Sequence, residues 1–245
     1  MRALSLRPAA LSEMRFFASS VGRPDGIARL ATQCLRLELA TYPKPGLVSH
    51  VDSGSHADMD AGTFRASASA LEPYFVELAA AGAVGPRAPA GSLGAHVRAR
   101  YADAILDGPE LLHAPGARAR RRHGVGGAPA EAAAGFPTLY GTGLPALRRA
   151  RTRRPESPEA ARVEACLALI ATLEDTNLLH RGGPEGFGFA RAEAARFLAA
   201  GGIARDDWFS HAQTLHRAFV ARRLSPGGAA DLLAMTLFVD AWEQA

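Results

Sequence analysis

The chain has 245 residues, of which 48% are hydrophobic and 21% are charged, a composition typical of a globular protein with a sizeable core. Alanine, leucine and arginine are abundant, whereas β-branched and aromatic residues are few, so helices are favoured over strands. We therefore predict an all-α protein, a single-domain helical bundle with Gly-rich polar loops. The net charge of +4 suits phosphorylated ligands and also nucleic acid, and does not distinguish between them.

The sequence lacks the marks of a membrane or secreted protein. No apolar run is long enough to span a bilayer, and the first residues carry arginines without the continuous apolar segment of a secretory signal. We expect a flexible tail over 1–23, one domain over 24–245, and a cytoplasmic location. Cys34 and Cys166 lie alone in apolar helical patterns, so we predict small core residues without a disulfide or metal.

Apolar residues at helical spacing predict the elements in chain order. The helices are expected to run over 26–41, 56–81, 93–106, 128–134, 163–173, 190–199 and 206–222, with a last apolar helix after the Gly-rich turn at 225–228. Residues 82–92 are predicted to be a linker. A polar cluster is expected to end the helix at 163–173, with Gly182 and Gly183 supplying the stop. The basic run 148–154 is interpreted as the solvated end of a helix.

The stretch over 41–60 differs from an ordinary connection. Lys44 is the only lysine of the chain, and it lies between two prolines that hold the backbone extended. Serine, histidine and aspartate residues follow at high density. The stretch is either part of a functional site or a polar surface loop followed by a capped helix.

Four polar clusters lie at or near predicted helix ends, over 44–60, 118–131, 175–183 and 225–231. Helix N-termini present unpaired N–H groups and positive potential, so the Gly-Gly pairs at 126–127 and 227–228 have a form suited to phosphate. Helical bundles build sites from residues on facing helices, and we expect the clusters to converge. The sequence contains no zinc pattern, P-loop or nucleophile elbow.

Several acidic residues in these clusters have alternative interpretations. Asp58, Asp60, Asp175 and Asp231 could hold magnesium, which needs only one or two carboxylates beside the phosphates of its ligand. A helix cap at Asp58, a solvated face at Asp60 and a hydrogen bond at a helix C-terminus for Asp175 are equally open.

The segments YPKPGLVSHVDSGSHADMD, GARARRRHGVGGAPAEAAAGFPTL, EDTNLLHRGGPEG and FVARRLSPGGAADLLA together resemble the triphosphoribosyl-dephospho-CoA synthase family, from about Ala31 to the C-terminus. The resemblance implies an all-helical transferase with a nucleotide site that joins ATP to 3′-dephospho-CoA and releases adenine, with magnesium as cofactor. The product would be the prosthetic-group precursor for the acyl-carrier subunit of malonate decarboxylase or citrate lyase. Nucleic acid and membranes are not expected as partners.

The chemistry of such a transferase needs a carboxylate beside a sugar of oxocarbenium character, and cations and N–H groups around a triphosphate. We expect catalytic roles for Lys44, Asp58, Asp175 and His180, although His180 could instead satisfy the carbonyls of a helix end. The metal ligands are expected among Asp58, Asp175 and Asp231. The binding residues are expected to be Ser49, Ser55, His56, Arg118, Gly126, Gly127, Glu131, Asn177, Arg181, Gly182, Gly183, Ser225, Gly227 and Gly228.

One segment departs from the family pattern. Family members carry, after the second helix, a block resembling Gly-Gly-Val-Asn-Thr-His-Lys-Gly and a further apolar helix, where this chain has only the linker at 82–92. An inactive nucleotide-binding relative is therefore an alternative to the enzyme. Nucleic-acid binding through the arginine runs 118–122 and 148–154 is a third hypothesis.

Overall fold

The computed structural model describes residues 26–49, 69, 73, 76–77, 80, 90–109 and 113–243. Every regular element in these ranges is a helix, which confirms the all-α prediction. The N-terminal tail, the linker and most of the helix expected over 56–81 lie outside the described residues. The positions described between 69 and 80 are helical, as expected.

Nine α-helices follow one another in the described ranges. They are α1 (Gly26–Leu39), α2 (Ser92–Leu106), α3 (Pro115–His123), α4 (Gly127–Ala133), α5 (Leu144–Arg153), α6 (Pro158–Thr172), α7 (Thr176–Ala199), α8 (Trp208–Ala221) and α9 (Gly227–Glu243). Short 3₁₀ turns occupy Gly46–Val48 and Gly202–Ala204, and a π-helical segment, Leu139–Gly143, leads into α5.

Helix α6 forms the centre of the bundle. Residues 160–170 are all buried, including Val163, Cys166, Leu167 and Ile170, which the sequence predicted. The apolar stripe predicted one buried face, but α5, α7 and α9 pack around α6, so its remaining faces are buried as well.

The polar cluster at 175–183 starts a helix where we expected one to end. Helix α6 stops at Thr172, and Asp175 accepts hydrogen bonds as the N-cap of α7. Gly183, at φ 61° and ψ −168°, interrupts the helical geometry inside α7, so two helical pieces meet there at a kink. The expected glycine stop is therefore confirmed at Gly183, but it ends the piece that starts at Thr176 and not the helix over 163–173. The piece after the kink contains the short helix expected over 190–199.

The basic run at 148–154 is not simply solvated, so that interpretation is wrong for Arg148 and Arg151. Arg148 Nε donates to Asp240 at 2.7 Å, and Arg151 donates to the other oxygen of the same carboxylate. Asp240 is only 1% exposed, whereas the two arginines are 41% and 25% exposed. These ion pairs fasten α5 to α9.

None of the described helices is long and apolar enough to cross a membrane.

Replacing Asp240 with Asn should destabilise the protein by about 2 kcal/mol. The substitution removes the charge that both arginines share, but these arginines can regain water, so the loss should fall below that of a fully buried pair. Chemical denaturation would measure the change. The matched control is Asp206→Asn, since Asp206 is fully exposed and 3.8 Å from Arg154. Equal midpoints for the two variants would contradict the structural role of Asp240.

Candidate active site

Residues 41–49 begin at a firm attachment to the central helix. Arg162 Nε, on α6, donates to Thr41 Oγ1 at 2.9 Å. The backbone N–H of Tyr42 donates to the Glu159 carboxylate at 3.3 Å. Residues 41–45 are non-helical, as the two prolines predicted. The N-terminal end of the segment is thus held against α6 by side chains that are distant in sequence.

The other end of the segment is held by α8 and the turn after it. His216 Nδ1 donates to the Lys44 carbonyl at 2.9 Å, and the Leu47 N–H donates to the Leu224 carbonyl at 2.9 Å. Gly46 has a φ of 77°, and a Cβ there would lie 2.5 Å from the Leu224 oxygen. The bend therefore requires glycine, both for its backbone angle and for the close approach.

Lys44 forms a buried ion pair with Glu38 at the end of α1. Its side chain is 0% exposed, and Nζ donates to the Glu38 carbonyl at 3.1 Å and also to the Glu38 carboxylate. Burial raises the pKa of Glu38, and the charge of Lys44 opposes that rise. The lysine expected to be catalytic is therefore bonded to a protein carboxylate.

Glu38 was not among the predicted site residues. The apolar stripe of α1 runs through Ile27, Leu30 and Cys34, and one further helical turn brings Glu38 onto the same buried face. A carboxylate on an apolar face, six residues before the only lysine, was the signal that could have found it.

Asp175 joins the N-termini of two helices. Its Oδ1 accepts from the N–H groups of Asn177 at 2.9 Å and Leu178 at 3.2 Å, at the start of α7. Its Oδ2 accepts from the N–H of Ala229 at 2.9 Å, in the first turn of α9. Burial raises the pKa of Asp175, while these bonds and one from the Gly228 N–H favour the ionised carboxylate. The C-terminal alternative for Asp175 is therefore wrong.

The glycines of the predicted phosphate turns lie where helices meet closely. A Cβ at Gly227 would lie 2.3 Å from Asn177 Nδ2, and one at Gly228 would lie 3.2 Å from the capping carboxylate. Gly127 has a φ of 59°, and a Cβ there would lie 2.7 Å from Thr176 Cγ2. Close packing around the start of α7 thus accounts for glycine at these positions.

Asp231 lies on α9 beside the residues just described. The residue is exposed to solvent, but nearby protein atoms partly desolvate its carboxylate. This desolvation, together with the charges of Glu38 and Asp175, raises its pKa to about 6, against the opposing effect of Lys44. We call Glu38, Lys44, Asp175 and Asp231 the acidic cluster. Three of its four members were predicted.

Helix α3 and the turn before α4 lie next to the start of α7. The Gly126 N–H donates to Glu174 at 3.3 Å, directly before the capping aspartate. Helix α3 packs against α7 and presents exposed Arg118, Arg121 and Arg122. The predicted polar clusters over 118–131, 175–183 and 225–231 therefore converge around the start of α7.

Other predicted residues have structural contacts of their own. Glu131 accepts from the N–H and the hydroxyl of Thr138, at 2.7 and 2.9 Å, and so caps the helical segment that follows. Ser49 is fully buried at the end of the 3₁₀ turn, and its N–H donates to the Gly46 carbonyl at 3.2 Å.

The remaining predicted residues of α7 and of the turn before α9 differ in exposure. His180 and Arg181 are exposed on α7, and Ser225 is half-buried in the turn before α9. Gly182 is close enough to Leu224 that a Cβ would meet its side chain at 2.5 Å, and Gly183 is the kink.

Three predicted residues, Ser55, His56 and Asp58, lie outside the described residues, as does Asp60. Over the described ranges, no group of three or more His, Cys, Asp or Glu residues could hold a metal ion by itself. Magnesium in this region would therefore need ligands from elsewhere, such as phosphate oxygens.

A separate cavity of about 480 Å³ lies between α7 and α8. Its lining residues on α8 point away from His216, since positions two or five residues apart fall on nearly opposite sides of a helix. The cavity thus does not adjoin the 41–49 segment. It is lined by Phe189, Glu193, His211, Thr214, Leu215, Ala218, Ala221 and Arg222.

Comparison with known proteins gives a consistent result. Residues 24–107 and 109–245 match the family described as ATP:dephospho-CoA triphosphoribosyl transferase. A protein of Stutzerimonas stutzeri (strain A1501) is 36% identical, over 88% of this chain and 91% of the relative. Relatives from Pseudomonas putida (33%; 91% and 96%) and Azotobacter vinelandii (34%; 94% and 97%) are similar. All three are named "probable 2-(5''-triphosphoribosyl)-3'-dephosphocoenzyme-A synthase".

The relatives contain residues that this chain lacks. The alignment with the Stutzerimonas stutzeri protein has 265 positions, but 88% of 245 residues is about 216, so about 49 positions have no counterpart here. No solved structure matches the chain. With a family match across nearly all of its length, the chain belongs to the ATP:dephospho-CoA triphosphoribosyl transferase family and is, as a member, a transferase.

Proposed function

We propose that this chain joins ATP to 3′-dephospho-CoA and releases adenine, giving 2′-(5″-triphosphoribosyl)-3′-dephospho-CoA. The observation that carries the proposal is the acidic cluster, in which two aspartates and a buried ion pair meet at the start of α7 and α9. Family membership supplies the substrates. The cluster supplies carboxylates of the kind that the reaction requires.

In the proposed reaction, a ribose hydroxyl of dephospho-CoA attacks the anomeric carbon of ATP. An oxygen–carbon bond forms, the bond from that carbon to the adenine nitrogen breaks, and the hydroxyl proton is removed. Adenine leaves with the electron pair of the broken bond and takes up a proton. The sugar carries positive charge in the transition state, as in glycoside hydrolysis, so a nearby carboxylate lowers the barrier.

Different parts of the site would meet different parts of the substrates. The acidic cluster suits the cationic sugar, because it holds three carboxylates against one ammonium group. Exposed Arg118 and Arg181 suit the triphosphate, since guanidinium groups bind phosphate oxygens strongly. The N–H groups around Asp175 are largely used by that carboxylate, so phosphate binding falls chiefly to side chains.

The residues present also fit a magnesium ion brought in with ATP. The acidic cluster has an excess of negative charge, and Asp231 is its solvent-exposed member. Asp231 would hold the ion beside the phosphate oxygens of the substrate. When bound, the ion would neutralise triphosphate charge, while Lys44 keeps Glu38 fixed on the other side.

The product would be the prosthetic-group precursor for the acyl-carrier subunit of a malonate decarboxylase or citrate lyase, and we propose malonate decarboxylase as the first to test. ATP is an intracellular metabolite, so the proposal places the reaction in the cytoplasm. An inactive nucleotide-binding relative is the second candidate, and the alignment positions missing from this chain favour it. Both candidates are expected to bind ATP, but only the enzyme is expected to turn it over.

The purified chain should release adenine when supplied with ATP, magnesium and dephospho-CoA, as measured by chromatography. Arg181→Ala should raise the KM for ATP by about tenfold or more, the expected effect of losing a charged hydrogen bond. Arg149→Ala is the matched control, because Arg149 is also an exposed helical arginine but lies on α5. ATP binding in calorimetry without adenine release would support the inactive relative instead.

Lys44→Met should destabilise the protein by about 3 kcal/mol, since it leaves the Glu38 carboxylate buried without a partner. The double variant Glu38→Gln with Lys44→Met should regain much of that loss, because no unpaired charge remains. Urea denaturation of the wild type, the two single variants Lys44→Met and Glu38→Gln, and the double variant gives the coupling energy between the two residues. If the two single effects simply add, the buried pair is not a coupled unit.

Asp231 should make stability depend on pH. Its pKa rises from 3.8 unfolded to about 6 folded, so the folded state holds the proton more tightly and stability falls as pH rises from about 4 to about 6. Asp231→Asn should therefore be more stable than the wild type at pH 7, by about 1 kcal/mol after allowance for solvent screening, and equal to it near pH 4. Denaturation series in EDTA would show this, and parallel pH curves for the two proteins would count against it.

A further inference from the structure

We infer that Asp231 is the carboxylate that meets the bound nucleotide, and that Asp175 is a positioning residue. This assignment rests on the proposed function and deepens it. It reverses the roles expected from the sequence, where Asp175 was a catalytic candidate and Asp231 only a metal ligand.

The contacts of Asp175 leave its carboxylate inaccessible to a substrate. Its side chain is 1% exposed, and its two oxygens accept the N–H groups of Asn177, Leu178 and Ala229. Such bonds keep the carboxylate ionised and fixed in place, and a ligand would have to displace them to reach it. Because one oxygen caps α7 and the other binds the first turn of α9, the residue sets the relative position of the two helices.

Asp231 has the opposite properties. It is exposed, and within the described part of the chain no hydrogen bond occupies its carboxylate. It lies in the second turn of α9, two residues after Ala229, which Asp175 holds. Asp175 thus fixes the turn from which Asp231 reaches solvent.

The other carboxylates around the start of α7 are already engaged. Glu38 is bonded to Lys44, Glu174 accepts from the Gly126 N–H, and Glu131 caps the segment at Thr138. Among the described residues of this region, Asp231 is therefore the carboxylate left open to a ligand. The charges of Glu38, Asp175 and Lys44, on α1, the end of the α6–α7 connection and the 41–49 segment, act on Asp231 from the protein side.

The test compares substitutions at the two aspartates in adenine release and in ATP binding. Asp231→Asn should lower kcat by about 100-fold or more, as expected for loss of a catalytic carboxylate, with ATP binding measured by calorimetry in EDTA changed less than about threefold. The series Asp175→Ala, Asp175→Ser and Asp175→Asn should behave differently. KM should be highest for Ala and recover towards the wild type as Ser and Asn restore oxygen acceptors for the N-cap.

A magnesium titration separates two ways in which Asp231 could meet the nucleotide. If saturating magnesium restores kcat in Asp231→Asn, the carboxylate acts through the ion bound to the phosphates. If it does not, the carboxylate acts on the sugar or its hydroxyl. Both results support the contact.

Two results would overturn the assignment. One is an Asp231→Asn variant whose kcat stays within about threefold of the wild type. The other is an Asp175 series that loses kcat equally at every member while KM stays constant. A wild-type protein that releases no adenine would instead overturn the proposed function itself, so the two failures are distinguishable.

Discussion

The buried ion pair between Lys44 and Glu38 is the contact on which the site depends most. Removing two charges from water is costly, and their attraction in a protein interior roughly offsets that cost, so the pair adds little net stability. Its effect is on specificity of structure. A segment with few backbone hydrogen bonds of its own can hold one conformation only if its ends and its side chains are fixed. Lys44 provides this by bonding α1 through Nζ while its carbonyl receives a hydrogen bond from His216 on α8.

The same pair shapes the electrostatics of the region. The N-termini of α7 and α9 direct positive potential towards Asp175. Its carboxylate accepts hydrogen bonds from N–H groups of both helices, so these groups are already bonded. Lys44 neutralises Glu38. Among the described residues, Asp231 remains as the member of the acidic cluster without a close cationic partner. Desolvation, and then the charges of Glu38 and Asp175, raise its pKa. A site with one uncompensated carboxylate attracts cations, including a metal ion or a sugar carbon that gains positive charge during reaction.

Much of this arrangement could be predicted from sequence, but the roles of individual residues could not. Apolar periodicity predicted the central helix, and the two prolines around Lys44 correctly predicted a break in helical structure at 41–45. The Gly-Gly pair at 227–228 indicated a helix start, yet its glycines serve close packing against Asn177 and Asp175, contacts that form only when α7 and α9 meet. Asp175 was expected at a helix C-terminus but lies at a helix N-terminus. The α6–α7 connection is only three residues long and contains no glycine or proline, so the sequence does not mark where one helix ends and the next begins. Glu38 was missed although it lies in an apolar stripe six residues before the only lysine, because the two side chains meet only when the segment after α1 folds back against that helix.

The residues missing from this chain have to be weighed against the site residues that are present. About 49 aligned positions of the Stutzerimonas stutzeri relative have no counterpart here, yet every member of the acidic cluster and the helices that carry it are present. A buried ion pair is costly to break one residue at a time, but it gives little net stability over an apolar pair, so stability alone does not require the Lys44–Glu38 pair. Gly127 and Gly227 let helices α4 and α9 approach the start of α7, where a Cβ would lie within 3 Å of a neighbouring side chain. The acidic cluster fits both the proposed enzyme and a nucleotide-binding relative, so turnover, rather than nucleotide binding, is the property that decides between them.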